Sequence, residues 1–135
     1  MIVVDANVVT YFVLRSEQTS LAVAVAEKDP YWCAPRLWRS ELLNVLSGYI
    51  RRETLTAASA FSLFEAASLF LKDDAPVDER LILELVGTSN CTSYDCEYVA
   101  TAQSLRVPLV TADKQLIKSF PEIAVSMKDF VSLEL

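Results

Sequence analysis

Short apolar runs alternate with segments of helical periodicity along the chain. The runs predicted to be strands are Ile2–Val4, Tyr31–Ala34, Leu69–Leu71, Leu109–Thr111 and Ile123–Val125. The segments predicted to be helices are Val8–Leu14, Ser20–Glu27, Arg36–Ile50, Thr56–Ser68, Asp78–Val86, Ser93–Leu105 and Lys114–Phe120. Pro35 is expected to open the third helix, and Asp73–Pro76 to break the chain. Strands separated by helices predict an α/β fold with a mostly parallel sheet covered on both faces.

Four acidic residues interrupt this apolar pattern, each beside a different element: Asp5, Glu41, Asp95 and Asp113. Asp5 and Asp113 each close a predicted strand, so both are expected at the carboxyl edge of the sheet, where ligands of such folds gather. Glu41 and Asp95 fall within about the first turns of two helices. We therefore expect all four carboxylates to face one crevice.

The first two acids also have ordinary structural explanations. Asp5 would serve as the N-cap of the next helix, with Asn7 sharing that role or orienting Asp5 by a hydrogen bond. Glu41 falls inside an apolar helical stripe formed by Trp38, Leu42, Val45 and Tyr49. A buried glutamate there needs a partner, so the alternatives are a salt bridge to Arg36 or Arg39, or a stripe edge that stays wet.

The other two acids allow similar alternatives. Asp95 shares a helical face with apolar residues, yet an acid in a first turn also stabilises the helix dipole. Asp113 lies two residues after Thr111, which puts both side chains on one side of the strand, but it would also cap the helix at Lys114. Four carboxylates held away from water require a positive partner, and Mg²⁺ or Mn²⁺ is the simplest. Such a metal can activate water to attack a phosphodiester.

Composition narrows the chemistry. The chain has 135 residues, which suits a single domain over residues 1–135, and it contains no histidine, which excludes His-based zinc sites and Ser-His-Asp or Cys-His catalysis. With only two glycines, it has no Gly-rich phosphate loop. Its three cysteines lack the spacing of a disulfide framework or a zinc site. No apolar run approaches a membrane span and no signal pattern is seen, so we expect a cytoplasmic protein with no membrane partner.

The charge balance is acidic, with 18 Asp and Glu against 12 Lys and Arg. A net charge of -6 argues against non-specific binding of nucleic acid. The segment Tyr31–Thr54 departs from this balance, since its four arginines outnumber its two glutamates. A local basic strip is therefore compatible with the sequence.

The segments around the four acids resemble the motifs of PIN domains, most closely those of the VapC-type toxins of bacterial and archaeal toxin–antitoxin pairs. In order along nearly the whole chain, these segments are Ile2–Asn7, Trp38–Leu43, Thr92–Ala102 and Pro108–Asp113. The resemblance implies a three-layer α/β/α sandwich and a metal-dependent endoribonuclease. It also implies a homodimer that a cognate antitoxin protein silences.

Carried over position by position, the resemblance implies that Asp5, Glu41, Asp95 and Asp113 are both the catalytic residues and the ligands of Mg²⁺ or Mn²⁺. Asn7 and Thr111 would support them by hydrogen bonds. Members of the family often carry a small or hydroxyl residue at the position of Asn7, and an alanine at that of Cys96. Neither departure touches a carboxylate.

Residues that contact an RNA substrate are harder to identify. Candidates for binding phosphates are the cations nearest the motifs, Arg15, Arg36, Arg39 and Lys114, with Arg51 and Arg52 further along. The alternative for each is an ordinary solvated charge. Tyr11, Trp38 and Tyr94 could stack on bases, but aromatic residues at helical spacing are usually core or interface, and we expect core.

Three other functions remain open at this point. A phosphoaspartyl protein, either a receiver domain or a haloacid-dehalogenase-like phosphatase, also has an aspartate at a strand end, but Ala6 and Asn7 stand where such proteins need further acids. A non-catalytic module would keep the acids as a metal or partner site. A PIN nuclease for RNA maturation would cleave RNA without being a toxin.

Overall fold

The computed structural model describes residues 1–133, apart from the side chain of Asp73. Its strands are β1 (Ile2–Val4), β2 (Trp32–Pro35), β3 (Asp73–Ala75), β4 (Leu109–Val110) and β5 (Ala124–Val125). Its helices are α1 (Ala6–Val13), α2 (Thr19–Lys28), α3 (Leu37–Arg51), α4 (Ala57–Phe70), α5 (Glu79–Gly87), α6 (Ser93–Leu105), α7 (Lys114–Ser119) and α8 (Met127–Ser132). Within these residues no helix is long and apolar enough to cross a membrane.

The strands form one parallel sheet in the order β3-β2-β1-β4-β5. β1 is central, and the side chains of all three of its residues are buried, as expected for a strand covered on both faces. Val4 pairs with Val110 of β4, so the residues that follow these two strands emerge side by side. The backbone N–H of Asp5 continues the ladder by donating to the carbonyl of Val110 at 3.0 Å.

Helices flank the sheet and complete the core. α6 contacts β1, β2 and β4, and α1 contacts α2, α3 and α4. Fully buried side chains of the sheet, such as Val3 and Leu109, join those of the helices, such as Leu42 and Val99, in one hydrophobic cluster. The predicted α/β fold, with a central parallel sheet wrapped by helices, is confirmed.

The structure differs from the predicted elements in three places. Leu69–Leu71 is not a strand, because α4 continues to Phe70; the strand is β3, in the segment expected to break the chain. Pro35 ends β2 instead of opening α3. The helix α8 was not predicted, although Ser126 caps it by accepting from the backbone N–H of Asp129.

β3 forms although its residues have low strand propensity, because neighbouring residues stabilise it. Asp and Ala are depleted in strands, but Cys33 and Ala34 offer it the free side of β2 in parallel register. The carboxylate of Asp74 also accepts a hydrogen bond from the indole of the buried Trp38 at 2.9 Å. Pairing and this contact outweigh the local preference.

Candidate active site

All four predicted acids line one cavity of about 480 Å³ beyond the carboxyl ends of the central strands. Asp5 follows β1 and Asp113 lies just after β4, while α3 contributes Glu41 and α6 contributes Asp95. Residues far apart in sequence meet here because β1 and β4 are neighbours, α6 packs against both, and α3 packs against α1 and β2. The predicted convergence on one crevice is thus present in the structure.

Asp5 lies at the base of this cavity, with only 7% of its surface exposed. Its Oδ2 accepts a hydrogen bond from the Thr111 hydroxyl at 2.8 Å and one from the Asn7 amide at 3.4 Å. Asp5 occupies the N-cap position of α1, but its side chain makes no capping hydrogen bond there. Its carboxylate therefore faces the cavity and its supporting residues, as the functional interpretation requires.

Asn7 and Thr111 also fix the loop that follows β4. The Asn7 Oδ1 accepts from the backbone N–H of Ala112 at 3.2 Å. The Thr111 hydroxyl oxygen, which donates its proton to Asp5, accepts from the backbone N–H of Asp113 at 3.0 Å. Both supporting residues thus tie the β1 end of the cavity to the β4 end.

Glu41 is held by a tyrosine instead of an arginine. The Tyr98 hydroxyl donates to the Glu41 Oε1 at 2.6 Å. Arg36 and Arg39, the salt-bridge partners considered for Glu41, both pair with Asp74, at 2.9 Å and 3.2 Å. This single hydrogen bond to Oε1 orients the carboxylate without neutralising its charge.

Asp95 lies in the first turn of α6 and Asp113 is the N-cap of α7, and both also line the cavity. Thr92 caps α6 by accepting from the backbone N–H of Asp95 at 3.1 Å. Asp113 caps α7 through its Oδ1, which accepts from the backbone N–H groups of Gln115 and Leu116. The capping alternative for Asp113 is therefore correct, and it coexists with a place in the cavity wall.

The pKa values of three of these acids are raised. Burial raises the pKa of Asp5 to about 6, and repulsion from Glu41 and Asp95 adds to this against the lowering effect of the Thr111 hydrogen bond. Burial raises the pKa of Glu41, with Asp95 as a further cause. Burial, followed by repulsion from Asp113, raises the pKa of Asp95. The acids sense each other's charge, which is expected of groups that share one site.

No cation compensates this charge within the described chain. Among the side chains that the structure describes, the ion pairs join Asp29 to the amino terminus and Asp74 to Arg36 and Arg39. The residues that line the cavity in this part of the chain include no lysine or arginine. A concentration of negative charge without a counterion favours a bound cation.

The donor set suits a hard divalent cation, because carboxylate oxygens are preferred ligands of Mg²⁺ and Mn²⁺. As the side chains stand, no three Asp, Glu, Cys or His residues between positions 1 and 133 are grouped so that they could hold one ion together. Mg²⁺ commonly takes one or two carboxylates directly and keeps several waters. The residues fit such an ion, with fewer than three direct protein ligands or after rotation of a side chain.

The predicted phosphate-binding cations do not line this cavity. Arg15 lines a separate depression with Phe12 and Thr19. Arg36 and Arg39 bind Asp74, and Arg39 also lies over the Trp38 ring. Lys114 is exposed and does not line the cavity. The basic contacts suggested by proximity in sequence are thus not part of the acidic site.

Of the three aromatic residues considered for base stacking, two lie in or against the core and one lines the cavity. Trp38 is buried, as expected for core, and Tyr11 packs partly against the core. Tyr94 is 61% exposed and lines the cavity, so the expectation of core is wrong for this residue. Tyr98 lies on the same face of α6 as Asp95 and was not predicted as a site residue, although its hydroxyl holds Glu41.

Fold and site together define the class as an α/β domain with an acidic cavity beyond the ends of its parallel strands. The family model of the PIN domain matches residues 2–123. The chain therefore belongs to the PIN domain family, whose members are generally nucleases. This assignment favours a nuclease over the phosphoaspartyl alternative.

A solved structure shares this architecture. The chain is similar to the crystal structure of PAE2754 from Pyrobaculum aerophilum, with a TM-score of 0.75 and 21% sequence identity over 96% of this chain and 92% of that chain. At this level of identity the likeness is one of fold. A comparison with curated protein sequences found no match.

Proposed function

We propose that this protein is an endoribonuclease that depends on Mg²⁺ or Mn²⁺ and hydrolyses RNA phosphodiester bonds. The observation that carries the proposal is the meeting of Asp5, Glu41, Asp95 and Asp113 around one cavity. The raised pKa values of Asp5, Glu41 and Asp95, and the absence of a cationic lining residue within positions 1–133, support a role for a bound metal. Membership of the PIN family supports nuclease chemistry.

In this proposal the four carboxylates hold the metal and are the catalytic residues. When bound, the metal supplies a water of increased acidity and positive charge that stabilises the leaving oxygen. The Thr111 hydroxyl and the Asn7 amide donate to Asp5 Oδ2, which fixes the direction of its carboxylate. The Tyr98 hydroxyl does the same for Glu41, so the ligands are oriented before the cation arrives.

The first test is RNA cleavage by the wild-type protein and by Asp5→Asn in Mg²⁺, in Mn²⁺ and in a chelator. We expect cleavage only by the wild type with metal, with a loss of at least about 100-fold in the variant, since one ligand and its orienting contacts act directly on the metal. Glu65→Gln, which changes an exposed acid on α4, is the matched control and should keep full activity. Cleavage by the wild type in chelator would contradict the proposal.

We further propose that the nuclease is the toxin of a type II toxin–antitoxin pair, acting as a cytoplasmic homodimer. The likeness of its four motif segments to VapC-type toxins supports this role. An exposed apolar groove between α3 and α4, lined by Leu43, Ile50 and Phe61, provides surface that a protein partner would cover. We also propose that the chain forms a single domain over residues 1–135.

The toxin assignment has two direct tests. A short reading frame next to this one should encode a protein with a DNA-binding amino terminus, and co-expression with it should abolish RNA cleavage. Analytical ultracentrifugation should give twice the mass of one chain. If no neighbouring product inhibits cleavage while the purified protein cuts RNA, the enzyme is instead a nuclease of RNA maturation.

A non-catalytic metal-binding or partner-binding module is the second candidate. One observation weighs against a catalytic metal: among the described side chains no three acids are grouped so that they could share one ion as they stand. Isothermal titration calorimetry separates the two functions. Mg²⁺ binding that Asp5→Asn removes, combined with no cleavage across a broad set of RNA molecules, would favour the module.

A further inference from the structure

Tyr94 is an exposed aromatic residue at the rim of the acidic cavity. It lies in the first turn of α6, directly before Asp95, and both side chains line the cavity. Its exposed fraction is 61%. Within residues 1–133, no hydrogen bond or ring contact involves its side chain. Neither packing nor a polar partner therefore accounts for an aromatic residue at this position.

The cavity itself has few ways to hold an RNA strand. Its four carboxylates repel phosphates, and no lysine or arginine between positions 1 and 133 lines it. A bound metal would attract only the phosphate nearest to it. The remaining lining is neutral and includes Leu37, Asn44 and Val45 on α3. This neutral lining can therefore bind RNA through its bases, which the carboxylates do not repel as they repel the phosphates.

We propose that Tyr94 stacks on the base next to the cleaved phosphate and so selects an unpaired nucleotide. The inference rests on the proposed ribonuclease function, since it concerns the substrate of the same site. Every base has an aromatic face, and stacking on an aromatic side chain is a sequence-tolerant contact used for single strands. In a continuous A-form duplex both faces of each base are covered by neighbouring bases. A paired segment would therefore lose this contact, and single-stranded RNA is the preferred substrate.

Cleavage of matched oligoribonucleotides in Mg²⁺ tests the proposal. For a single-stranded substrate we expect Tyr94→Ala to reduce kcat/KM by roughly 5- to 150-fold, the range for one lost base stack. Tyr94→Phe and Tyr94→Trp should stay near the wild-type value, because each keeps an aromatic ring. The control is Leu69→Ala, a large apolar residue on α4 that is 80% exposed and does not line the cavity, which should change little.

Fluorescence gives a readout that does not need cleavage. Both natural tryptophans, Trp32 and Trp38, are buried, so Tyr94→Trp adds an exposed indole whose emission can be followed separately. We expect single-stranded poly(U) in Mg²⁺ to quench this emission, and a perfectly paired RNA duplex to leave it nearly unchanged.

The outcomes separate the two proposals. Quenching by poly(U) without cleavage by the wild type would keep the stacking contact and overturn the ribonuclease function. Cleavage that Tyr94→Ala leaves at the wild-type rate would overturn the stacking contact alone. Equal losses in Tyr94→Ala and Tyr94→Phe would also overturn it, because the hydroxyl and not the ring would then be responsible.

Discussion

Among individual residues, Asp5 has an ionised carboxylate that burial disfavours. Burial, aided by Glu41 and Asp95, raises the pKa of Asp5 from 3.8 to about 6. A raised carboxyl pKa means that the folded state binds the proton more tightly than the unfolded state does. The stabilisation from this group is therefore complete below pH 3.8 and is lost as the pH rises to about 6. Above that pH, and without metal, the charge remains as a cost to folding.

Asp5→Asn should consequently be more stable than the wild type in a chelator at pH 8, by about 1–3 kcal/mol. The asparagine oxygen still accepts from Thr111, while the buried charge is gone. The advantage should shrink towards pH 4, where the wild-type carboxyl is protonated in the folded protein. Urea unfolding at the two pH values measures the difference. A variant less stable than the wild type at pH 8 would show that burial does not penalise this charge.

If the proposed function is correct, Tyr98 is a positioning residue that acts through Glu41, to which its hydroxyl donates. Its hydroxyl lowers the pKa of Glu41 against the raising effects of burial and of Asp95. Tyr98→Phe should therefore raise the pKa of Glu41 further and weaken Mg²⁺ binding by about 10–100-fold, as the loss of a contact that orients a ligand typically does. Calorimetric titration measures the affinity.

The pH profile distinguishes this role from a purely structural one. Because metal binding needs the ionised carboxylate, the rise of kcat/KM from acid to neutral pH should move to higher pH in Tyr98→Phe. A profile that keeps its shape and falls only in height would contradict the positioning role.

At the scale of elements, Asp74 joins the edge strand β3 to α3, the helix that carries Glu41. It accepts from the Trp38 indole and from both Arg36 and Arg39. Burial opposes its ionisation, but the Trp38 hydrogen bond and the two arginines together lower the pKa of Asp74. The contact therefore favours the carboxylate form and fixes the start of α3.

Two substitutions at Asp74 separate the contribution of the Trp38 hydrogen bond from that of the two ion pairs. Asp74→Ala should lower the free energy of unfolding by about 1–3 kcal/mol, because it leaves a buried indole N–H without an acceptor. Trp38 is only 1% exposed, so water cannot easily replace the acceptor. Asp74→Asn keeps an acceptor oxygen and should cost about 0–1 kcal/mol, the usual worth of partly exposed ion pairs. Equal losses in urea unfolding would place the stabilisation in the ion pairs instead.

The same elements show what the sequence could predict. The long helices with side-chain caps were predicted, and Thr56, Asp78 and Thr92 are the observed caps of α4, α5 and α6. β3 was not, because its residues Asp73–Ala75 disfavour a strand and its formation depends on pairing with β2. α8 was not predicted either, although the equally short α7 was.

The sequence likewise predicted some features of the candidate site and not others. Its four acids could be located because each interrupts an apolar pattern beside a strand end or within the first turns of a helix. The partners of Arg36 and Arg39 could not, since Asp74 lies 38 and 35 residues away in sequence and reaches them only through the pairing of β3 with β2.

For the whole molecule, the excess of negative charge and its concentration in one cavity predict that stability depends on cations. The chain has a formal net charge of -6, and four of its acids line the same cavity. General screening by salt acts on all charges, whereas a bound divalent cation acts on the cavity alone. The two effects can therefore be separated by comparing Mg²⁺ with NaCl at equal ionic strength.

Mg²⁺ should stabilise the folded wild-type protein in a saturable way, by about 2.7 kcal/mol at 100 times its dissociation constant, because it binds only the folded state. Glu41→Gln should lose most of this gain, while Glu65→Gln, an exposed acid outside the cavity, should keep it. Thermal unfolding with increasing Mg²⁺, each point paired with NaCl of equal ionic strength, measures the effect. Equal stabilisation by the two salts, or an unchanged response in Glu41→Gln, would mean that the acids repel one another in the cavity without forming a metal site.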